Sequence, residues 1–71
     1  MTRSVEWKIE QREDGGFYLF EREEGGSMWE SVRRRGLFGN RNKAQFQATL
    51  SDYEKKLANS GVIIIAEQWP V

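Results

Sequence analysis

Phe46, Leu50, Tyr53 and Leu57 are spaced 4, 3 and 4 residues apart, which places them on one face of an α-helix. Asn42 supplies a good N-cap, and Gln45 three residues on completes a capping-box-like pattern. Gly61, after Asn59-Ser60, is a natural stop at the C′ position. Gln47, Ser51, Asp52, Lys55 and Lys56 make the polar face. A helix with one apolar stripe has to lay that stripe on another layer. The rest of the chain reads as strands, so the expected partner is a sheet.

Val5, Trp7 and Ile9 alternate with Glu6, Lys8 and Glu10, the period of a half-buried strand. Glu13-Asp14-Gly15-Gly16 follows, and Asp-Gly is a strong hairpin signal. Phe17 to Glu23 is then the returning strand. A two-residue Asp14-Gly15 loop would set Ile9 opposite Phe20 and Trp7 opposite Arg22. A three-residue loop would put Phe17 and Leu19 on the face of Trp7 and Ile9. A one-residue slip flips every side chain, and the pattern leaves both open. In either register Phe17-Tyr18-Leu19-Phe20 is apolar on both faces. One helix covers only one face of a small sheet. The other face should keep Phe17 with Leu19, or Tyr18 with Phe20.

Glu24-Gly25-Gly26 is a second turn. Ser27 to Arg34 reads as a third strand or a short helix, with Met28, Glu30 and Val32 on one side and Trp29, Ser31 and Arg33 on the other. Gly36-Leu37-Phe38-Gly39-Asn40 reads as a loop whose apolar pair tucks under the helix. Val62 to Ala66 is apolar throughout, so it should be a central strand buried on both faces or lie at a subunit interface. The expected fold is α+β: a small antiparallel sheet with one helix packed on one face, in the order β-β-β-α-β, making one domain over residues 1–71.

At 71 residues a domain buries only roughly 60% of its unfolded surface. The chain has no Cys and no His, so disulfides and the usual structural zinc sites cannot reinforce it. Three Trp, four Phe and two Tyr supply core area instead. The polar start and an apolar run no longer than Val62–Ala66 predict a cytoplasmic protein without a signal peptide or membrane span.

Without His or Cys the commonest nucleophile–base pairs are missing. Glu21 and Glu30 could oppose each other on neighbouring strands, but as solvated positions rather than as an acid–base pair. No phosphate-binding glycine fingerprint occurs. The expectation is a non-enzymatic binding module with no cofactor and no metal.

Net charge is zero but unevenly spread: residues 1–31 carry four basic and eight acidic groups, and residues 32–49 carry five basic groups and no acid. The five are Arg33, Arg34, Arg35, Arg41 and Lys43. They suit a phosphate or an acidic partner at the helix start, or they pair internally with the hairpin carboxylates. Three strands and then a helix with basic residues at its start resemble, in layout over roughly residues 5–60, the double-stranded RNA-binding domain. That resemblance implies phosphate contacts from the helix N-terminus. The family's N-terminal helix has no counterpart here, the basic cluster lies in a loop, and a strand is added. Neutral total charge favours a protein partner, self or other, over nucleic acid. Phe17, Tyr18, Leu19, Phe20 and Trp29 are the candidate contacts, as aromatics are enriched at interfaces. Small phage-type accessory or inhibitor proteins have this character, as does a small homodimer.

Overall fold

The computed structural model describes residues 2–71. Its elements run β1 (Arg3–Gln11), β2 (Phe17–Glu23), β3 (Glu30–Ser31), β4 (Phe38–Asn40), α1 (Lys43–Asn59) and β5 (Val62–Gln68). The fold is α+β, one helix on a five-stranded mixed sheet of order β3-β2-β1-β5, with β4 also paired to β2. The expected all-antiparallel sheet is corrected at β5, which runs parallel to β1. The β-β-β-α-β order gains a strand, because Phe38–Asn40 pairs with Phe17 and Tyr18 rather than forming a loop. The third strand is two residues long instead of eight. Both short strands use the same edge of β2. Leu19 donates its N–H to the Leu37 carbonyl and accepts from the Val32 N–H, so β3 and β4 follow one another along that edge.

The hairpin closes with a three-residue loop, Glu13-Asp14-Gly15, one residue earlier than the Asp14–Gly16 alternative. The Gly15 N–H donates to the Arg12 carbonyl at 2.8 Å and Arg12 N–H to the Gly16 carbonyl at 3.0 Å. Gly15 takes φ +84°, the left-handed position that three-residue hairpins require. Asp14 Oδ1 accepts from the Gly16 N–H at 2.8 Å and holds the loop shut. Ile9 therefore faces Leu19, and Trp7 faces Glu21. Phe17 and Leu19 join Val5, Trp7 and Ile9 on the helix side, and Tyr18 and Phe20 go to the other.

Val5, Trp7, Ile9, Phe17, Leu19, Leu37, Phe46, Leu50 and Val62 form the core, with Val32, Tyr53, Leu57, Ile64 and Trp69 packed around it. All four residues of the helix stripe take part, Phe46 and Leu50 fully buried. Tyr53 stacks flat on Trp7, with ring centroids 5.8 Å apart, and Phe46 packs between Phe17 and Trp69. Asn42 caps the helix through its Oδ1, which accepts from the Gln45 N–H at 3.0 Å. The Gln45 side chain does not reach back to complete the box; its Oε1 accepts from Asn40 Nδ2. Of the apolar pair expected beneath the helix, Leu37 is fully buried but Phe38 stays 47% exposed.

Strand β5 corrects the expectation of a central position. Its apolar run lies on the sheet edge, with Val62 buried and Ile63 and Ile65 51% and 46% exposed. A bulge between the pairs Val5–Ile64 and Glu6–Ala66 leaves Ile65 without a partner on β1. No helix among the described residues is long and apolar enough to cross a membrane.

Candidate functional site

Three parts of the surface compete for a role, and the sequence candidates divide among them. The first is the sheet face away from the helix. Alternation along β2 sends Tyr18, Phe20 and Arg22 there, opposite Glu10, Lys8 and Glu6 of β1. Trp29 folds back over this face from the β2–β3 turn. Cations sit against nearly every ring: Lys8 Nζ is 4.9 Å from the Trp29 centroid and 5.6 Å from that of Phe20, Arg22 lies 4.3 Å over Trp29, and Arg12 lies 4.4 Å over Tyr18. Tyr18 also meets Phe38 edge-on at 5.0 Å. The pair Arg22–Glu6, 3.2 Å apart, fixes one of these cations. The outer aromatics are thus half-buried beneath the chain's own long side chains, whose stems cover apolar surface while their heads stay wet. Phe17 and Leu19, grouped with Tyr18, Phe20 and Trp29 as candidate contacts in the sequence, are core residues at 5% and 0% exposure.

The basic segment is the second part, and the structure scatters it. Arg33 stands near the outer face, 5.6 Å over Phe38. Arg34 turns to the helix side and lies 4.8 Å over the Tyr53 ring. It and Arg35 border a cleft of about 360 Å³ with Thr49, Asp52, Tyr53 and Lys56. Arg41 and Lys43 border a different cleft, of about 510 Å³, beside Trp69 and the chain's end. Ion pairs among the described residues are Arg3–Glu23, Lys8–Glu10 and Arg22–Glu6. None involves Arg33, Arg34, Arg35, Arg41 or Lys43, so the hairpin carboxylates neutralise hairpin cations and leave the basic segment unpaired.

Burial pushes the Tyr53 hydroxyl above its ordinary pKa; the Glu21 carboxylate raises it further, and Arg34 opposes both. Glu21 does oppose Glu30 across β2 and β3. Its carboxylate accepts the indole N–H of Trp7 at 3.0 Å, a structural use that ties it to the core.

The third part is the β5 edge with Ile63 and Ile65. The sequence marks this run as apolar but cannot say which side of it lacks a neighbour. Comparison of the chain with protein-family models, curated proteins and solved structures gives no match.

Proposed function

We propose that this chain is a non-catalytic protein-interaction module that associates through the free edge of β5, with a second copy as its partner. The observation behind this reading is the exposure of Ile63 and Ile65 on an edge strand. Edge strands offer unpaired N–H and C=O groups, and proteins commonly shield them with Lys, Pro or a covering loop. Val62–Ala66 carries no charge and no Pro. Antiparallel pairing of two identical β5 strands about Ile64 sets Ile63 of each copy opposite Ile65 of the other. Such a contact is isologous and closes on itself. The β5 bulge at Ile65 limits regular pairing to a few residues, which suits a modest affinity. The aromatic outer face is a weaker candidate, because Lys8, Arg12 and Arg22 already cover its rings.

Analytical ultracentrifugation tests the reading. The mass should climb from 8.3 kDa toward twice that as concentration approaches about 1 mM, the range reached by a contact worth about 4 kcal/mol. Ile63→Lys should return it to monomer without unfolding. A wild-type monomer throughout that range overturns self-association.

A second reading, nucleic-acid binding through Arg33–Lys43, draws support from the lack, among the described residues, of a carboxylate within 4.0 Å of those five cations. Their dispersal over separate places argues against one continuous strand contact. A mobility shift with duplex DNA or RNA at ~50 mM salt that weakens steeply with added salt would favour it.

A further inference from the structure

The cleft between the Arg34–Leu37 turn and the helix shares no lining residue with the β5 edge. Thr49, Asp52, Tyr53 and Lys56 occupy one flank of α1, at helical spacings of 3, 1 and 3. Arg34 and Arg35 face them from the turn. The turn is pinned at several points. The Leu37 N–H donates to the Arg34 carbonyl at 3.0 Å, and the Leu37 side chain is wholly buried. Asn40 Nδ2 donates to the Gly36 carbonyl at 3.1 Å. Gly36 has φ +87°, and a Cβ there would come within 3.0 Å of Thr49 Oγ1. The two arginines therefore project from a fixed backbone over a fixed helix face, and the ordering left for a ligand to impose falls on their exposed side chains.

Three cations and one carboxylate line this concavity, and no ion pair within 4.0 Å among the described residues consumes Arg34, Arg35 or Lys56. We propose that the cleft is a binding site for a phosphate monoester dianion, held by Arg34, Arg35 and Lys56 with the Tyr53 hydroxyl as a neutral donor. Guanidinium forks match phosphate oxygens in pairs, and an ammonium adds a point charge. Within the lining three cations stand against one carboxylate; Glu21, outside the lining but close enough to act on the Tyr53 hydroxyl, offsets part of that excess, and the positive balance that remains favours an anion. The hydroxyl proton of Thr49 is already committed to the Gln45 carbonyl at 2.9 Å, so Thr49 shapes the wall and donates nothing. Burial keeps Tyr53 protonated into the alkaline range, where its O–H remains a donor. Asp52 is the only carboxylate in the lining and opposes the ligand. It sets a ceiling on affinity that substitution should lift.

Amide NMR titration of the full chain with inorganic phosphate, against sodium chloride at matched ionic strength, tests the site. Shifts should concentrate at Arg34, Arg35, Thr49, Asp52, Tyr53 and Lys56. Arg35→Ala and Lys56→Gln, both exposed positions, should each weaken binding about tenfold. Asp52→Asn should tighten it about fivefold by removing one like charge at close range. Adenosine monophosphate should shift the same residues, since the phosphoryl group is the common element. The proposal is overturned if phosphate moves Arg41 and Lys43 instead, or if Asp52→Asn leaves binding unchanged or weaker. It is also overturned if an oligonucleotide lacking terminal phosphates outcompetes phosphate at these residues, because internal diesters carry one charge each. Self-association is read by mass, so the two readings fail separately.

Discussion

Leu37 and Phe38 are neighbours in sequence and opposites in energy, and truncating each to alanine separates them. Leu37 is fully buried; its carbonyl accepts from Leu19, and its N–H closes the Arg34 turn. Deleting a buried leucine side chain costs about 2–5 kcal/mol, more where the surroundings cannot relax into the void. Here the void would be walled by a sheet on one side and a helix on the other, so about 3 kcal/mol is a fair expectation. A chain of 71 residues at ~0.05–0.15 kcal/mol per residue has about 4–10 kcal/mol in total. Leu37→Ala thus removes about 30% or more of the stability. Phe38 is 47% exposed and its ring meets Tyr18 edge-on, an arrangement worth about 0.5–1.5 kcal/mol. Urea titration followed by tryptophan fluorescence, to which buried Trp7 contributes, reads both. With a slope of about 1 kcal/mol per molar urea for a small domain, the Leu37→Ala midpoint should fall by about 3 M and that of Phe38→Ala by about 0.5–1.5 M. Equal losses, or a Leu37→Ala loss below ~1 kcal/mol, would refute the claim that this turn is anchored in the core by one side chain.

Other perturbations follow from the same geometry. Tyr53 holds its proton more tightly folded than unfolded. Its contribution is fully present below the unfolded pKa of ~10 and is lost as pH rises through the higher folded value. The difference in tyrosinate absorbance between wild type and Tyr53→Phe should show this midpoint above the ordinary one, lowered by Glu21→Gln and raised by Arg34→Ala. Gly15→Ala meets no atom within 4 Å, so thermal denaturation should report only the left-handed penalty of about 1–2 kcal/mol. Gly36→Ala adds contact with Thr49 at 3.0 Å and should cost more than Gly15→Ala. Asn42→Ala deletes the bond to the Gln45 N–H and should cost about 1 kcal/mol, with loss of amide-exchange protection confined to the first helical turn.

The helix and its cap were legible in the sequence because their signals are local: a 3.6-residue stripe, a capping asparagine and a stopping glycine. The hairpin was legible as a hairpin, but its register was not: both loops that the sequence offered begin at Asp14, and the observed loop begins at Glu13. Asp14 settles that by accepting from the Gly16 N–H, a bond the residue pattern alone does not rank. The surplus of apolar residues on β2 was legible too, and Tyr18 with Phe20 prove to be the outward pair. Which cations would cover them was not, since Lys8, Arg12 and Arg22 reach the rings from three stretches of chain. Val62–Ala66 illustrates a deeper limit. An apolar run reports average burial, whereas a strand's lateral place depends on which edges its partners leave free. The basic segment reads as one cluster along the chain, but the Gly36 turn and the helix start aim its members in different directions.

The pairing of β1 with β5 fixes the order in which this molecule can assemble. Arg3 faces Val62 and Lys8 faces Gln68, so the first strand finds one of its two neighbours almost a full chain length away. The hairpin and the helix can form early, because each closes over a short stretch. Until the residues after Gly61 arrive, Val5 and Trp7 lie along an open backbone edge. Closing so long a loop has an entropic cost that local contacts do not meet. A chain emerging from a ribosome would hold its hairpin unsealed until Val62–Gln68 cleared the exit tunnel. Refolding should therefore be slower than the small size suggests, and a permuted chain carrying β5 ahead of β1 through a crossover linker that runs back along the parallel pair would outpace it.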